Sequence, residues 1–188
     1  MLSDEAREEL MNIARRTVEA AVKDERVMEM PPESDELKNE QGAFVTLKAN
    51  GQLRGCIGRF VAQQPLWKIV QQMAVSAATQ DPRFAGRRLQ PGELDDLDVE
   101  ISVLSPLEKT DDPMELELGK HGIYIRRDGR TGCFLPQVAT ETGWSKKQFL
   151  AKCCAGKAGL SPDAWEDPDT EVYLFTAEII REEDVGKD

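Results

Sequence analysis

The sequence predicts an α+β domain in which helices pack on an antiparallel sheet. Two segments with the sequence pattern of β-strands are each interrupted by a turn dipeptide, Asn50-Gly51 in one and Asp128-Gly129 in the other. These dipeptides favour two-residue type I′ hairpin turns. Apolar residues recur at spacings of three and four after Ser3 and after Pro65, which indicates amphipathic helices. The six strands that we predict are joined by hairpin links without regular βαβ alternation, and this order is typical of an antiparallel sheet.

Length and charge limit the classes of function. The 188 residues are about the size of one domain, and we expect a single domain over residues 1–188. A net charge of −11 argues against nucleic acid as the main partner, because phosphate binding needs a concentrated basic face. The sequence contains neither a signal peptide nor an apolar run of about 20 residues. We therefore expect a cytoplasmic protein that does not enter a membrane.

The metal-binding side chains are few and scattered. Cys56, Cys133, Cys153 and Cys154 form no CxxC pair, and His121 is the sole histidine. This spacing is not that of a zinc site or of a disulfide framework. We predict no metal and no cofactor, and we expect the two adjacent cysteines to be core residues of a helix.

Three helices have clear sequence signals. Ser3 is the predicted N-cap of a first helix of about 25 residues, and Pro65 begins a second helix that ends near residue 80. Ser145 and Gln148 form an S-x-x-Q capping box at the start of a third. Gly159 is placed to end this third helix.

The hairpins fix an expected strand register. With a two-residue turn after Ala49, Leu47 faces Arg54 and Val45 faces Cys56. In the second hairpin, over 122–135, the same rule pairs Tyr124 with Cys133 and Arg126 with Thr131. We expect residues 107–119 to be irregular, and we expect residues 171–180 to form one long strand in the middle of the sheet, because they are apolar on both faces.

The stretch 53–58, Leu-Arg-Gly-Cys-Ile-Gly, is the main candidate for function. Residues two apart on a strand share a face, so Arg54 and Cys56 would point the same way and the guanidinium would favour a thiolate. Gly55 and Gly58 would let a ligand or another backbone approach closely. The alternative is that Cys56 only fills space beside Val45, since free cysteines are often buried.

Two further segments carry candidate site residues. Asp81-Pro82-Arg83 follows the second helix, and the residue before a proline disfavours helix. We expect an ordered turn that presents Asp81 and Arg83 near the sheet edge. His121 lies at the entrance of a predicted strand, where it is either a general base or a residue bonded to the backbone.

With these motifs the chain resembles the AMMECR-domain family, in particular its microbial AmmeMemoRadiSam system protein A branch. The resemblance rests on the stretch 53–58 and on further motifs along nearly the whole chain, which lie at 81–84, 93–106, 119–122, 134–138 and 143–144.

The resemblance implies a fold, a site and partners. It implies an antiparallel sheet with packed helices, and a smaller subdomain whose cleft carries the cysteine motif. We expect this subdomain within roughly 106–165. The resemblance also implies that the chain acts with a Memo-type protein and a radical SAM enzyme.

Three functional hypotheses follow for the cysteine motif. In the first, the chain is a binding module in which Arg54, Gly55, Gly58, Asp81 and Arg83 line the binding cleft around the thiol. In the second, it is a cysteine-dependent transferase or hydrolase. In the third, the thiol is a redox-sensitive or radical-accepting site.

The second hypothesis assigns roles to individual residues. Cys56 is the nucleophile and His121 is its base, with Arg54 or Arg83 holding an anionic substrate and Asp81 as the orienting group. Only the residue types support this assignment, because contact between residues so far apart in the chain depends on the tertiary structure.

Overall fold

The computed structural model describes residues 1–60 and 63–185, and over these residues the chain forms four α-helices and two antiparallel sheets. The helices are α1 (Asp4–Val22), α2 (Leu66–Thr79), α3 (Pro136–Thr142) and α4 (Lys146–Cys153). The strands are β1 (Ala43–Ala49), β2 (Gln52–Arg59), β3 (Leu97–Leu104), β4 (Glu108–Thr110), β5 (Gly122–Arg127), β6 (Arg130–Phe134), β7 (Glu171–Phe175) and β8 (Ala177–Arg181). The predicted α+β class is confirmed.

The chain divides into two compact units. The larger unit is Met1–Leu104 with Glu178–Asp188, and the smaller unit is Ser105–Ala177. One sheet has the strand order β2-β1-β3-β8 and the other has the order β4-β7-β5-β6. The cysteine motif lies in the larger unit, which differs from the position in a smaller subdomain that the family resemblance implied.

The core of the larger unit lies between its helices and one face of its sheet. The apolar stripes of α1 and α2 are buried, and so are alternate residues of β1, Ala43, Val45 and Leu47. Ser3 caps α1 as predicted, since its side chain accepts a hydrogen bond from the Ala6 N–H. The helix has 19 residues rather than about 25. It stops early because Asp24 adopts a left-handed conformation, with φ of 57°.

The smaller unit has its own core. The β5–β6 hairpin pairs Tyr124 with Cys133 and Arg126 with Thr131, as predicted. The capping box at the start of α4 is also present. Cys153 and Cys154 are fully buried, which confirms them as core residues, and Gly159 ends the following π-helical turn with φ of 65°.

Two predictions about the strands are wrong. Residues 171–180 form two strands, of which β7 lies between β4 and β5, whereas β8 is an edge strand of the other sheet. The break falls at Thr176, whose N–H donates to the Ser105 hydroxyl while its carbonyl accepts from the Ser105 N–H, both at 2.9 Å. Segment 107–119 is not wholly irregular, because it contains β4, which pairs with β7.

Candidate functional site

A β-bulge in the first hairpin changes the expected position of Cys56. The pairs Ala49–Gln52 and Lys48–Leu53 form as expected for the two-residue turn, but the register shifts between Lys48 and Leu47, further from the turn. Cys56 is therefore opposite Thr46, and Gly55 is opposite Leu47. The predicted pairs of Leu47 with Arg54 and of Val45 with Cys56 are wrong, because the bulge inserts one extra residue, Arg54, into β2.

The shift moves the thiol to the other face of the sheet. A slip of one residue exchanges the two faces of a strand, so Cys56 shares a face with half-buried Thr46 rather than with buried Val45. The Thr46 hydroxyl donates a hydrogen bond to Cys56 Sγ at 3.2 Å. Cys56 itself is half-buried, whereas burial raises the pKa of the Cys153 thiol in the smaller unit. The thiol is thus not sealed in the core.

The two glycines of the motif are required by the packing of the chain itself. A Cβ atom at Gly55 would overlap the carbonyl of Ala77 on α2. A Cβ atom at Gly58 would overlap the ring of Phe44, the residue opposite it on β1. The close approach that we expected at these glycines is therefore made by a neighbouring helix and by an aromatic ring.

Asp81 and Arg83 bind the main chain at Cys56. The Cys56 N–H donates to Asp81 Oδ2 at 3.0 Å, and Arg83 Nη2 donates to the Cys56 carbonyl at 2.7 Å. Because β2 is an edge strand, these side chains occupy the place of a further strand. We name this arrangement the Asp81–Arg83 clasp. The prediction of an ordered turn near the sheet edge is confirmed.

The clasp is held together by its own ion pair. Arg83 Nε and Nη2 donate to Asp81 Oδ1 and Oδ2 at 3.0 and 2.7 Å. These bonds are the main reason that the pKa of Asp81 is lowered, and the N–H groups of Cys56 and Arg83 add to the effect. The pKa of Arg83 is raised, chiefly by Asp81 and to a smaller extent by the nearby Cys56 side chain. Asp81 is buried, whereas 56% of the Arg83 side chain is exposed.

Arg54 is held by a partner that the sequence analysis missed. Its Nε and Nη2 atoms donate to Glu93 Oε1 at 3.0 and 2.8 Å. The other carboxylate oxygen of Glu93 accepts from the Gln90 N–H at 3.0 Å. The bond from Arg54 is the largest cause of the lowered pKa of Glu93. Because Arg54 lies in the bulge, the simple rule that places it on the same face as Cys56 does not apply.

A groove opens beside Arg54. It has a volume of about 490 Å³. Its walls are formed by Arg54, Ala85, Gly86, Arg87, Arg88, Gln90 and Glu93. We name it the arginine groove. Neither Arg87 nor Arg88 was a candidate in the sequence analysis, since both read as ordinary charged loop residues.

His121 lies in the smaller unit. Its Nδ1 atom accepts a hydrogen bond from the Glu117 N–H at 3.1 Å. It also lines a groove of about 680 Å³, whose walls come from the smaller unit and include Glu108, Asp111 and Asp112. The backbone bond is the one that the alternative reading of His121 predicted. The pairing of His121 with Cys56 stays a prediction.

Within residues 1–60 and 63–185, no three His, Cys, Asp or Glu side chains come together as metal ligands would. Over the same residues, none of the helices combines the length and the apolar content needed to span a bilayer.

Comparison with known proteins places these features in one family. The family model named AMMECR1 matches residues 11–180. Protein TK0174 of Thermococcus kodakarensis is 45% identical in an alignment of 193 positions that covers 97% of this chain and 93% of that protein. Protein MK0488 of Methanopyrus kandleri is 41% identical in an alignment of 191 positions that covers 97% of this chain and 91% of that protein.

A solved structure supports the fold as well. The crystal structure of the uncharacterized protein PH0010 from Pyrococcus horikoshii matches with a TM-score of 0.84 and 39% sequence identity. The match covers 93% of this chain and 91% of that one.

Proposed function

Because the chain belongs to the AMMECR1 family, we propose that it is a binding module that acts with a Memo-type protein and a radical SAM enzyme. Its recognition surface is the β2 edge around Arg54 and Cys56. The resemblance of the sequence motifs to the family suggests the partner classes. The contacts of Arg54 and Cys56 support the position of the surface.

The observation that supports a recognition surface best is the clasp on Cys56. Asp81 and Arg83 satisfy both peptide groups of this residue by side-chain bonds, so its backbone position is fixed without a further strand. The thiol remains half-buried and hydrogen-bonded to Thr46. Side chains that are held in place before a ligand arrives lose less entropy on binding, and this favours affinity.

The roles of the predicted binding residues differ in this proposal. Arg54 and Arg83 contact the ligand or partner directly, because each guanidinium is positioned by a carboxylate. Arg83 does so at the surface, with 56% of its side chain exposed, whereas Arg54 is only 15% exposed and is reached through the groove beside it. Asp81 acts through Arg83 and through the backbone, since it is itself buried. Gly55 and Gly58 contribute through the packing of β2, since they let it lie close to α2 and to the Phe44 ring.

Co-purification tests the binding module. The tagged chain is mixed anaerobically with a Memo-type protein and a radical SAM enzyme from the same organism, and retention is measured for wild type, Arg54→Ala and Cys56→Ser. We expect the wild type to retain the partners and both variants to retain less. Cys133→Ser is the matched control, because Cys133 is also half-buried but lies in the smaller unit.

Two results contradict the proposal. One is the absence of retention with the wild-type chain under anaerobic conditions. The other is equal loss of retention in Arg54→Ala, Cys56→Ser and the Cys133→Ser control, since that pattern does not depend on the β2 edge.

The second candidate function is a cysteine-dependent transferase or hydrolase with Cys56 as nucleophile and His121 as base. The specific observation in its favour is the surroundings of the sulfur, which receives a hydrogen bond from Thr46 and has the guanidinium of Arg83 nearby. A hydroxyl donor and a cation are the neighbours that a reactive thiolate needs.

The pH dependence of alkylation separates this candidate from the first. The rate of Cys56 alkylation is measured between about pH 5 and pH 10 in a Cys133→Ser background, with and without His121→Gln. An enzyme that uses this pair loses a titration step when His121 is changed. A rate that follows an ordinary thiol near pH 8.5 in both proteins contradicts the candidate.

A further inference from the structure

We propose that the arginine groove binds a small polyanion that carries phosphate or carboxylate groups. This inference rests on the proposed binding function, because the groove shares Arg54 with the recognition surface, and it adds the chemical class of the ligand. Guanidinium groups match the geometry of both oxyanions through paired hydrogen bonds.

The charges in the groove do not balance. The residues that line it carry three positive charges, on Arg54, Arg87 and Arg88, and one negative charge, on Glu93. Both oxygens of Glu93 are already engaged, one by Arg54 and the other by the Gln90 N–H. Arg54 and Glu93 thus neutralise each other, and the charges of the two remaining arginines are left uncompensated in the groove.

The side chains of Arg87 and Arg88 are not held by a partner in the described part of the chain. Both are exposed, and neither forms an ion pair with another residue in the described part of the chain. The protein as a whole has a net charge of −11, so carboxylates for such pairs are abundant. Two adjacent unpaired cations in a groove create a local positive field that attracts anions.

The loop that carries these arginines is anchored on both sides. The 3₁₀ turn Pro82–Phe84 precedes it and is held by the Asp81–Arg83 clasp. Buried Leu89 follows the two arginines, and after it comes the 3₁₀ helix Pro91–Asp96, which contains Glu93. Because the loop is anchored, its arginines are already ordered before the ligand binds, which reduces the entropic cost of binding.

The size of the groove agrees with a ligand larger than a single ion. Its volume of about 490 Å³ lies in the range of about 300–1,000 Å³ that small-molecule sites occupy. Gly86 leaves part of this space open, since a Cβ atom there would contact nothing within 4 Å.

Calorimetric titration with inorganic pyrophosphate tests the inference, and a parallel titration with citrate distinguishes phosphate from carboxylate preference. We expect saturable one-to-one binding to the wild type. In the double variant Arg87→Ala/Arg88→Ala, binding should weaken about tenfold or more, because two charge-assisted hydrogen-bonding groups are lost. Tighter binding of pyrophosphate than of citrate identifies the ligand as a phosphate compound, and the reverse order identifies a carboxylate.

A matched double variant controls for the loss of charge. Arg16 and Arg26 are also exposed and lie outside the groove, so Arg16→Ala/Arg26→Ala removes the same charge from the larger unit. We expect its affinity for pyrophosphate to stay within about twofold of wild type. Gly86→Glu, which adds a carboxylate where there is space, should also weaken binding and provides a second variant if the double variant fails to fold.

Equal affinity in the two double variants, or no saturable binding of either anion to the wild type, overturns the inference. The anion titration uses the purified chain alone and the co-purification uses the partners, so the two proposals fail separately. Anion binding without partner retention contradicts the partner proposal, and partner retention without anion binding contradicts the groove.

Discussion

The two hairpins of this protein have the same type of turn but differ in the register of their strands. Asn50-Gly51 and Asp128-Gly129 all have positive φ, between 50° and 74°, as type I′ turns require. Each hairpin also places a half-buried cysteine on its second strand, Cys56 or Cys133. In the second hairpin the turn fixes every pair, whereas in the first a bulge shifts the register between Leu47 and Lys48.

This difference shows what a turn does and does not determine. The turn sets the first pairs of a hairpin, but one inserted residue reverses the faces of everything beyond it. In the first hairpin the insertion moves the thiol away from Val45 and towards Thr46. It also releases Arg54 from the regular alternation of side chains, and Arg54 pairs with Glu93.

The largest effect is expected from a glycine of the bulged strand. Gly55→Ala places a methyl group against the Ala77 carbonyl of α2, and overpacking against backbone should lower the free energy of unfolding by about 3 kcal/mol. Gly129→Ala in the second hairpin meets no atom within 4 Å and has only its positive φ of 74° to oppose it, which costs about 1 kcal/mol. Urea unfolding followed by circular dichroism measures both, and equal losses would contradict the packing argument.

The next effect is expected from the clasp. Asp81→Ala leaves the Cys56 N–H without its acceptor and Arg83 without its partner, so unfolding should become easier by about 2 kcal/mol. In the second hairpin, Arg126 donates to Glu171 at 2.6 Å, but this pair is at the surface and solvent screens it. Glu171→Ala should therefore have a clearly smaller effect in the same urea experiment. An equal loss of stability in Asp81→Ala and Glu171→Ala would contradict the expected difference between the clasp and the surface pair.

Both carboxylates should lose their contribution to stability as the pH falls. The pKa of Asp81 is lowered in the folded protein, so its contribution to stability is complete above the unfolded value of about 3.9 and is lost as the pH falls through the folded value. The stability difference between wild type and Asp81→Asn should therefore shrink when the pH is lowered from about 6 to about 3. The pKa of Glu171 is lowered to about 2, so the contribution of its charge declines between about pH 4.5 and pH 2. If the stability difference between wild type and Asp81→Asn instead increased as the pH fell, the expected direction of the effect would be wrong.

The smallest effect is expected at the sulfur. Thr46→Val removes the hydroxyl that donates to Cys56 Sγ and keeps the size of the side chain. In a Cys133→Ser background, alkylation of Cys56 at pH 7.5 should slow by about twofold, because the reacting thiolate loses a hydrogen bond. Thr131→Val, on β6 of the second hairpin, is the matched control and should leave the rate unchanged. A rate that Thr46→Val also leaves unchanged would show that the bond has no effect on reactivity.

Local signals predicted the features that depend on local chemistry. The turn dipeptides located both hairpins, and Ser3 and the pair Ser145/Gln148 located two helix starts. Residues at helical spacing correctly placed Cys153 and Cys154 in the core. In each case the determining contacts lie within a few residues in the chain, which is why the sequence pattern was sufficient.

The missed features depend on partners far along the chain. Nothing in the sequence between Gln52 and Gly55 indicates that β2 contains an extra residue. Because the bulge could not be foreseen, neither could the contact between Cys56 and Thr46. Glu93 is 39 positions from Arg54, so their ion pair required the tertiary fold. Thr176 separates two apolar stretches without a glycine or proline, and its bond with Ser105 spans 71 positions.

The clasp has a consequence for how copies of the chain meet one another. An edge strand with free peptide groups is a template on which a second molecule can add its own strand and begin a fibril. At Cys56, near the middle of β2, the N–H and the carbonyl are already taken by Asp81 and Arg83. An incoming strand therefore finds no complementary groups at this point, and the same two side chains that position the motif oppose strand addition at Cys56.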